Sequence, residues 1–305
     1  VLFRSVVIRN GWMHDDAFIT FRTVDNAVHG LGLRWNVAER VQTYTHPAWM
    51  LLVTMLYAAT REIYVTVMAC SVLLSVVAVA LIAWGARRDA WAGCLALVIF
   101  TLSKAFVDYS TSGLENPLTH VLYAAFLVVL LTPQATRGRL AWLATLAALM
   151  ALNRVDTALL VMPALAVAWW SAPRKGRVAA LVGGFAPLVL WEVFAVFYYG
   201  FPFPNTAYAK LFDTGITSSD RLLHGVYYLL NSATRDPLTL LATAAGVRLG
   251  LLTSCTVAAT GTAPFSYQWR NECYVRCTGR SDGYHSVSCD GDQHAERKLL
   301  FFSLQ

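Results

Sequence analysis

A chain of 305 residues with 57% apolar and 14% charged side chains, and a mean hydropathy of +0.50, is too apolar for an ordinary soluble domain, where about 25% charged residues is usual. Its formal net charge of +6 suits basic loops beside a membrane, where Lys and Arg gather on the cytoplasmic side, and argues for no nucleic-acid partner. The apolar runs are too long for barrel strands. The expected fold class is therefore all-α, a polytopic transmembrane helix bundle whose backbone polar groups are satisfied within each helix.

The opening Val1-Leu-Phe-Arg-Ser5 resembles the translation of a sequencing-adaptor end, so residues 1–5 are set aside as an adaptor artefact. Residues 6–46 read as a first extracytoplasmic loop, and residues 47–252 as a transmembrane bundle with short loops. The clearest apolar runs are 63–84, 91–107, 117–131, 140–153, 157–170 and 178–199. Alternate connections carry Arg87, Arg88, Arg137, Arg139, Arg174, Lys175 and Arg177 against Asp89 as the acid. The others are mixed or acidic. The first set is expected in the cytoplasm and the second outside.

Residues 47–60 are apolar but short, about 21 Å of helix against a hydrocarbon layer of roughly 30 Å. They read as an interfacial or re-entrant helix. Residues 140–153 and 157–170 are equally short and read as two shallow helices meeting at Arg154 and Asp156. Asn116-Pro117 reads as a cap residue followed by proline at the first helical position. Cys70 and Cys94 lie in apolar runs as packing residues. From residue 253 to 305 the long apolar runs vanish and Cys, Ser, Arg and Gly dominate. This polar, Cys-rich tail reads as an out-of-frame segment, with a genuine polar extracytoplasmic tail as the alternative. Its Cys273, Cys277, His285, Cys289 and His294 lack the spacing of a zinc finger.

The chemistry concentrates in the extracytoplasmic segments. Asp15 and Asp16 are adjacent carboxylates whose mutual repulsion suits a general base or a divalent-cation site. The plain alternative is a pair of helix-start acids. Arg22, Arg40 and His46 lie in the same stretch. Asp108-Tyr-Ser-Thr-Ser-Gly-Leu-Glu-Asn116 is a second polar segment, with Glu115 before a helix. Arg154-Val-Asp156 lies at the junction of two short helices, where ionisable groups are costly and usually paired. Lys210 ends a Pro- and aromatic-rich loop and could face a leaving phosphate.

Taken together, Asp15-Asp-Ala-Phe-Ile-Thr-Phe-Arg-Thr-Val24, Gly30-Leu-Gly-Leu-Arg-Trp-Asn36, Glu39-Arg-Val-Gln-Thr-Tyr-Thr-His-Pro-Ala-Trp49 and Thr111-Ser-Gly-Leu-Glu115 resemble the bacterial GT-C glycosyltransferases. Arg154-Val-Asp156 and the stretch from Tyr198 to Lys210 continue the pattern. The resemblance, nearest to the mycobacterial-type terminal arabinofuranosyltransferase family, covers roughly residues 12–245.

It implies a multi-pass enzyme of the bacterial plasma membrane with an extracytoplasmic active site. The implied partners are a polyprenyl-phosphate-linked sugar donor, a cell-envelope glycan acceptor and the lipid bilayer. The implied catalytic pair is Asp15 and Asp16; Arg154, Lys210, Arg22 and Arg40 would bind the donor phosphate. Glu115, Asp156, His46, Tyr44 and Asn205 would line the pocket. No cofactor is certain, a divalent cation is compatible, and a metal site is left open. The family continues into more helices and a further extracytoplasmic domain, so the chain reads as truncated at both ends. The rival reading is a transporter or flippase for a lipid-linked sugar, which needs charge deep in several spans.

Overall fold

The computed structural model describes residues 9, 11–87, 90–131, 136–206, 208, 217–237, 240, 241, 244, 245 and 248. Two compact units divide the chain, Val1–Ala244 and Ala245–Gln305, and every helix named here lies in the first. The regular structure among the described residues is helical. Lys210 and the Cys-rich tail 253–305 lie outside the described residues.

Helix α1 (Asp15–Val28) begins with Asp15 and Asp16 in its first turn, and His14 Nδ1 accepts from Asp16 N at 3.1 Å. Acids are favoured there because the first N–H groups carry the positive end of the helix dipole. Its buried face, Ala17, Thr20, Phe21, Thr23 and Val24, lies against α2 (Pro47–Thr60). Pro47 opens α2 where an N–H would go unpaired anyway, and Arg61 closes it in the left-handed region at φ 57. Glu62 then caps α3 (Ile63–Gly85) by accepting from Tyr64 N and Val65 N.

The apolar run 91–107, expected as one span, is broken. α4 (Ala90–Leu102) stops at Ser103, whose hydroxyl accepts from Phe106 N at 3.3 Å and starts α5 (Lys104–Tyr109). The run 178–199 is likewise split into α9 (Arg177–Gly184) and α10 (Ala186–Tyr199), bent by 46° around Phe185. Gly183-Gly184 followed by Pro187 explains the bend, since neither favours an unbroken ladder of hydrogen bonds.

Asn116 is also not a capping residue. It is the first residue of α6 (Asn116–Leu130), and Glu115 occupies the cap without a side-chain bond to the helix. The Glu115 carboxylate is engaged elsewhere, by His46 and Arg154. Helix α7 (Arg137–Asn153), a 3-10 turn (Val155–Thr157), α8 (Ala158–Ser171) and α11 (Ser218–Arg235) complete the described elements.

Helix α6 packs between α3 and α7, and α7 also meets α8, α9 and α10. Ser71, Ser75 and Ala78 on α3 are buried small residues that permit close approach. One apolar cluster surrounds Val24, Tyr44, Trp49, Trp191 and Tyr199. A second surrounds Leu140, Leu143, Met150, Phe126 and Leu165. Polar connections segregate to two ends. Arg139 donates to the carbonyls of Val129 and Leu130, Arg137 lies against Gly176, and Arg177 stacks over Trp169. The acid-bearing segments meet at the other end, described next.

Among the described residues, α3 is long and apolar enough to cross a membrane by itself, and the bent pair α9–α10 passes the same test if taken as one span. α2, α6 and residues 155–171 are apolar but shorter.

Candidate functional site

Three segments distant in sequence are fastened at the acidic end. Trp12 Nε1 donates to Asp108 O at 2.8 Å, His14 N donates to Ser112 O at 2.8 Å, and Trp49 Nε1 donates to Gly113 O at 3.1 Å. Ser110, Thr111 and Ser112 are fully buried beneath these contacts. Gly113 has φ +78, and a β-carbon there would run into Met13 Sδ and stand 3.0 Å from Ala17 Cβ. Only glycine combines that backbone with that close approach. The start of α1, carrying the two aspartates, is thereby set on the turn that leads into Glu115.

Beside this turn lies a network of charged groups. Glu115 Oε1 accepts from Arg154 Nη1 at 3.3 Å, and Glu115 Oε2 stands 3.4 Å from His46 Nδ1. Arg154 also grips Asp156 through two donors, Nε to Oδ1 at 3.1 Å and Nη2 to Oδ2 at 2.8 Å. Planar guanidinium and carboxylate match in that geometry. Asn153 Nδ2 donates to Glu115 O at 3.0 Å and to Thr119 Oγ1 at 2.8 Å, which fixes α7 against the start of α6. On the far side, Thr20 Oγ1 lies 2.8 Å from His46 Nε2. A carboxylate can only accept, so the neutral imidazole carries its proton on Nδ1 and takes the Thr20 hydroxyl on Nε2.

Proton affinities follow from these contacts. Burial pushes His46 below its ordinary value; the Glu115 charge opposes this and the Arg154 charge reinforces it. The Arg154 donors hold the Asp156 carboxyl below the usual range. Asp156 in turn raises Arg154. Tyr44 is raised well above its ordinary value, first by burial and then by its Tyr199 neighbour, so it stays a neutral phenol. Tyr199 OH donates to Leu33 O at 2.6 Å, and the two phenol oxygens are 2.7 Å apart. Tyr44 is thus the donor within that pair.

Asp15 and Asp16 point outward, with side chains 93% and 66% exposed. His14 Nδ1 is 2.8 Å from Asp15 Oδ1, and the three residues offer one ligand atom each within 4.8 Å of one another. Two carboxylates and an imidazole are a donor set compatible with Mg²⁺ or Mn²⁺. The pair shares its footing with Glu115 through the bonds of Trp12, His14 and Trp49 to Asp108, Ser112 and Gly113, while its own hydrogen bonds are to its immediate neighbours.

Arg22 sits over the Trp35 ring at 4.2 Å, and Arg40 over the Tyr198 ring at 5.2 Å, so neither joins the Arg154 group. Asn205 N donates to Gln42 O at 3.2 Å, which ties the Pro-rich loop to the segment before His46. His14, Thr20, Trp49, Asn153 and Tyr199 were not singled out from sequence. The His14 ring meets Asp15 and Asp16 beside it, the other four act through partners remote in the chain, and only the Trp12-to-Asp16 aromatic-acid cluster left a visible signal.

An apolar groove of about 490 Å³ opens beside Trp191, lined by Leu52, Met55, Leu149, Pro187, Leu190 and Phe194 among others.

The chain is similar to the terminal β-(1→2)-arabinofuranosyltransferase of Mycobacterium tuberculosis, at 30% identity over an alignment of 256 residues that takes in 76% of this chain and 39% of that protein. The chain thus spans about two fifths of the length of the curated relative it matches. No family model matches, and no solved structure matches. The chain is distantly related to a glycosyltransferase.

Proposed function

We propose that the chain carries part of the transfer site of a multi-pass membrane glycosyltransferase of the GT-C type. It would move a sugar, arabinofuranose by analogy with the relative, from a polyprenyl phosphate to a cell-envelope glycan outside the plasma membrane. The observation that carries this reading is the fastening of the Asp15–Asp16 helix start to the turn that delivers Glu115 to Arg154, at the end opposite the basic turns. The exposed apolar surface supports a lipid setting: Phe197 is 85% and Leu159 81% exposed, on a scale soluble monomers avoid.

In this reading one of Asp15 and Asp16 accepts the proton of the acceptor hydroxyl as its oxygen bonds to the anomeric carbon. The bond from that carbon to the phosphate oxygen breaks, and the phosphate departs with the electron pair. A guanidinium such as Arg154, held by Glu115 and Asp156, steadies the charge that develops on it. The apolar groove next to Trp191 would lodge the prenyl chain. A divalent cation held by His14, Asp15 and Asp16 would supply further neutralisation of the phosphate.

The test is single replacement, Asp15→Asn and Asp16→Asn, in the full-length protein in lipid nanodiscs with a polyprenyl-phosphate sugar. Loss of a general base lowers the rate by about 100-fold or more, expected for at least one of the two. Full transfer by both variants would falsify the assignment. Gathering Asp15, Asp16, Glu115, Arg154 and Asp156 at one end, with Arg137 and Arg139 at the other, favours an enzyme over a flippase, which needs polar groups along a path to both faces.

A further inference from the structure

Six of the ten buried side-chain polar atoms that lack a partner among the described residues lie along one seam: Arg34 Nε, Gln42 Oε1, Thr43 Oγ1, Tyr198 OH, Asn205 Oδ1 and Thr206 Oγ1. The seam runs between the loop after α1 and the end of α10 with the residues that follow it. It is built, not loose: Asn205 N donates to Gln42 O at 3.2 Å, and Tyr199 OH donates to Leu33 O at 2.6 Å. At its other end, Tyr198 OH and Arg34 Nε lie 2.5 and 3.0 Å from where a β-carbon on Gly32 would stand, at φ +91. Glycine at that position is what lets the phenol and the guanidinium converge. Arg40 covers the ring of Tyr198, and Phe194 stacks on it at 5.1 Å.

A buried polar atom left unpaired is disfavoured, and native structures hold few of them. Such a concentration marks a place where a polar ligand completes the bonding. The atoms themselves decide its chemistry. Gln42 Oε1 and Asn205 Oδ1 only accept, Arg34 Nε only donates, and the three hydroxyls do either. A phosphate, which chiefly accepts, would leave both amide oxygens unpaired. A metal cation would meet the Arg34 guanidinium. A sugar hydroxyl donates and accepts, and so suits every member.

We infer that this seam is a carbohydrate subsite that holds ring hydroxyls of a sugar, separate from the Glu115–Arg154 group. It rests on the transferase reading for its place in the reaction. The sugar has two sources, the one being transferred or the acceptor residue, and kinetics separates them.

Thr43→Val, Thr206→Val and Tyr198→Phe delete a polar atom with almost no change of volume. They are made singly and together in the full-length protein in nanodiscs. Because each removes an unpaired buried group, the melting temperature without ligand stays level or rises. Each is expected to raise KM about fivefold to tenfold, the size of one lost hydrogen bond, with kcat within about twofold. A rise in acceptor KM assigns the acceptor residue, and a rise in donor KM assigns the transferred sugar. A methyl arabinofuranoside disaccharide is expected to raise the melting temperature of the parent protein and not of the triple variant. Inorganic phosphate is expected to do neither.

Unchanged KM values for both substrates in an active triple variant overturn the subsite alone. So does phosphate matching the disaccharide. A parent protein that binds the disaccharide through these atoms yet transfers nothing upholds the subsite and overturns the transferase reading.

Discussion

Arg154 Nη1 reaches Glu115 Oε1 at 3.3 Å across 39 positions of chain while its other donors clasp Asp156 two residues on. One guanidinium therefore joins the start of α6 to the end of α7. Replacing it by Lys keeps the charge and loses the fork, so at most one of the two carboxylates stays well bonded. Transfer by Arg154→Lys is expected to fall about 10-fold or more, from the loss of one or more charge-assisted hydrogen bonds of roughly 1.5–3 kcal/mol each. The side chain is over a third exposed, so the stability cost is smaller, about 1 kcal/mol. A double-mutant cycle of Arg154→Met with Glu115→Gln, read by thermal unfolding, is expected to show coupling of about 0.5–2 kcal/mol. Strict additivity would show that the contact contributes nothing.

Gly113 holds a left-handed turn against Met13 and Ala17. Gly113→Ala is expected to cost about 2 kcal/mol or more, through strain at φ +78 and displacement of Met13. Because Met13 precedes the aspartates by two residues, transfer falls with it. Shortening Met13 to Ala in the same chain relieves the steric part and leaves the backbone part. A Gly113→Ala protein with unaltered melting and unaltered transfer counts against the fastening as the determinant of the site.

Much of this architecture is legible in the sequence. The apolar runs became helices, and the Arg154-Val-Asp156 spacing became a bidentate pair at a helix junction. What hydropathy did not reveal was where helices break, because a break at Ser103 costs no apolar residue; the serine hydroxyl simply replaces a ladder bond. Charge patterns also failed to sort the arginines. Arg22 and Arg40 carry the same charge as Arg154, yet they lie over Trp35 and Tyr198. Which partner a guanidinium meets is settled by tertiary packing. Glu115 shows the same limit: its position before Asn116-Pro117 looks like a helix-start acid, and its carboxylate instead serves His46 and Arg154.

His46 supplies a pH signature. Its folded proton affinity lies below the ordinary value of 6.5, chiefly through burial, with Glu115 and Arg154 the charged groups that face it. The unfolded chain then binds the proton more readily than the folded one. Its contribution to stability is therefore present above about pH 6.5 and declines as pH falls below it. Asp156, also lowered, loses its contribution only in the carboxylate range, well below that. The melting temperature is expected to drop between pH 7 and pH 5 by more in the parent protein than in His46→Gln. Parallel curves for the two proteins exclude His46 as the source.

The exposed aspartates separate catalysis from folding. Asp15 and Asp16 occupy the first turn of α1 with little burial, and their folded-state benefit comes from exposed contacts with His14 and each other and from the helix dipole, which is worth about 0.3–1 kcal/mol each. Asparagine at either position is thus expected to lower the melting temperature by only a few degrees. If a carboxylate there removes the acceptor proton, the same change lowers transfer by about 100-fold or more. The two readouts must therefore diverge, in contrast to Gly113→Ala, where they fall together. Measuring both on one preparation, by thermal unfolding and by release of polyprenyl phosphate, decides between a chemical and a helix-start role. Loss of transfer matched by loss of folding would assign the pair to structure.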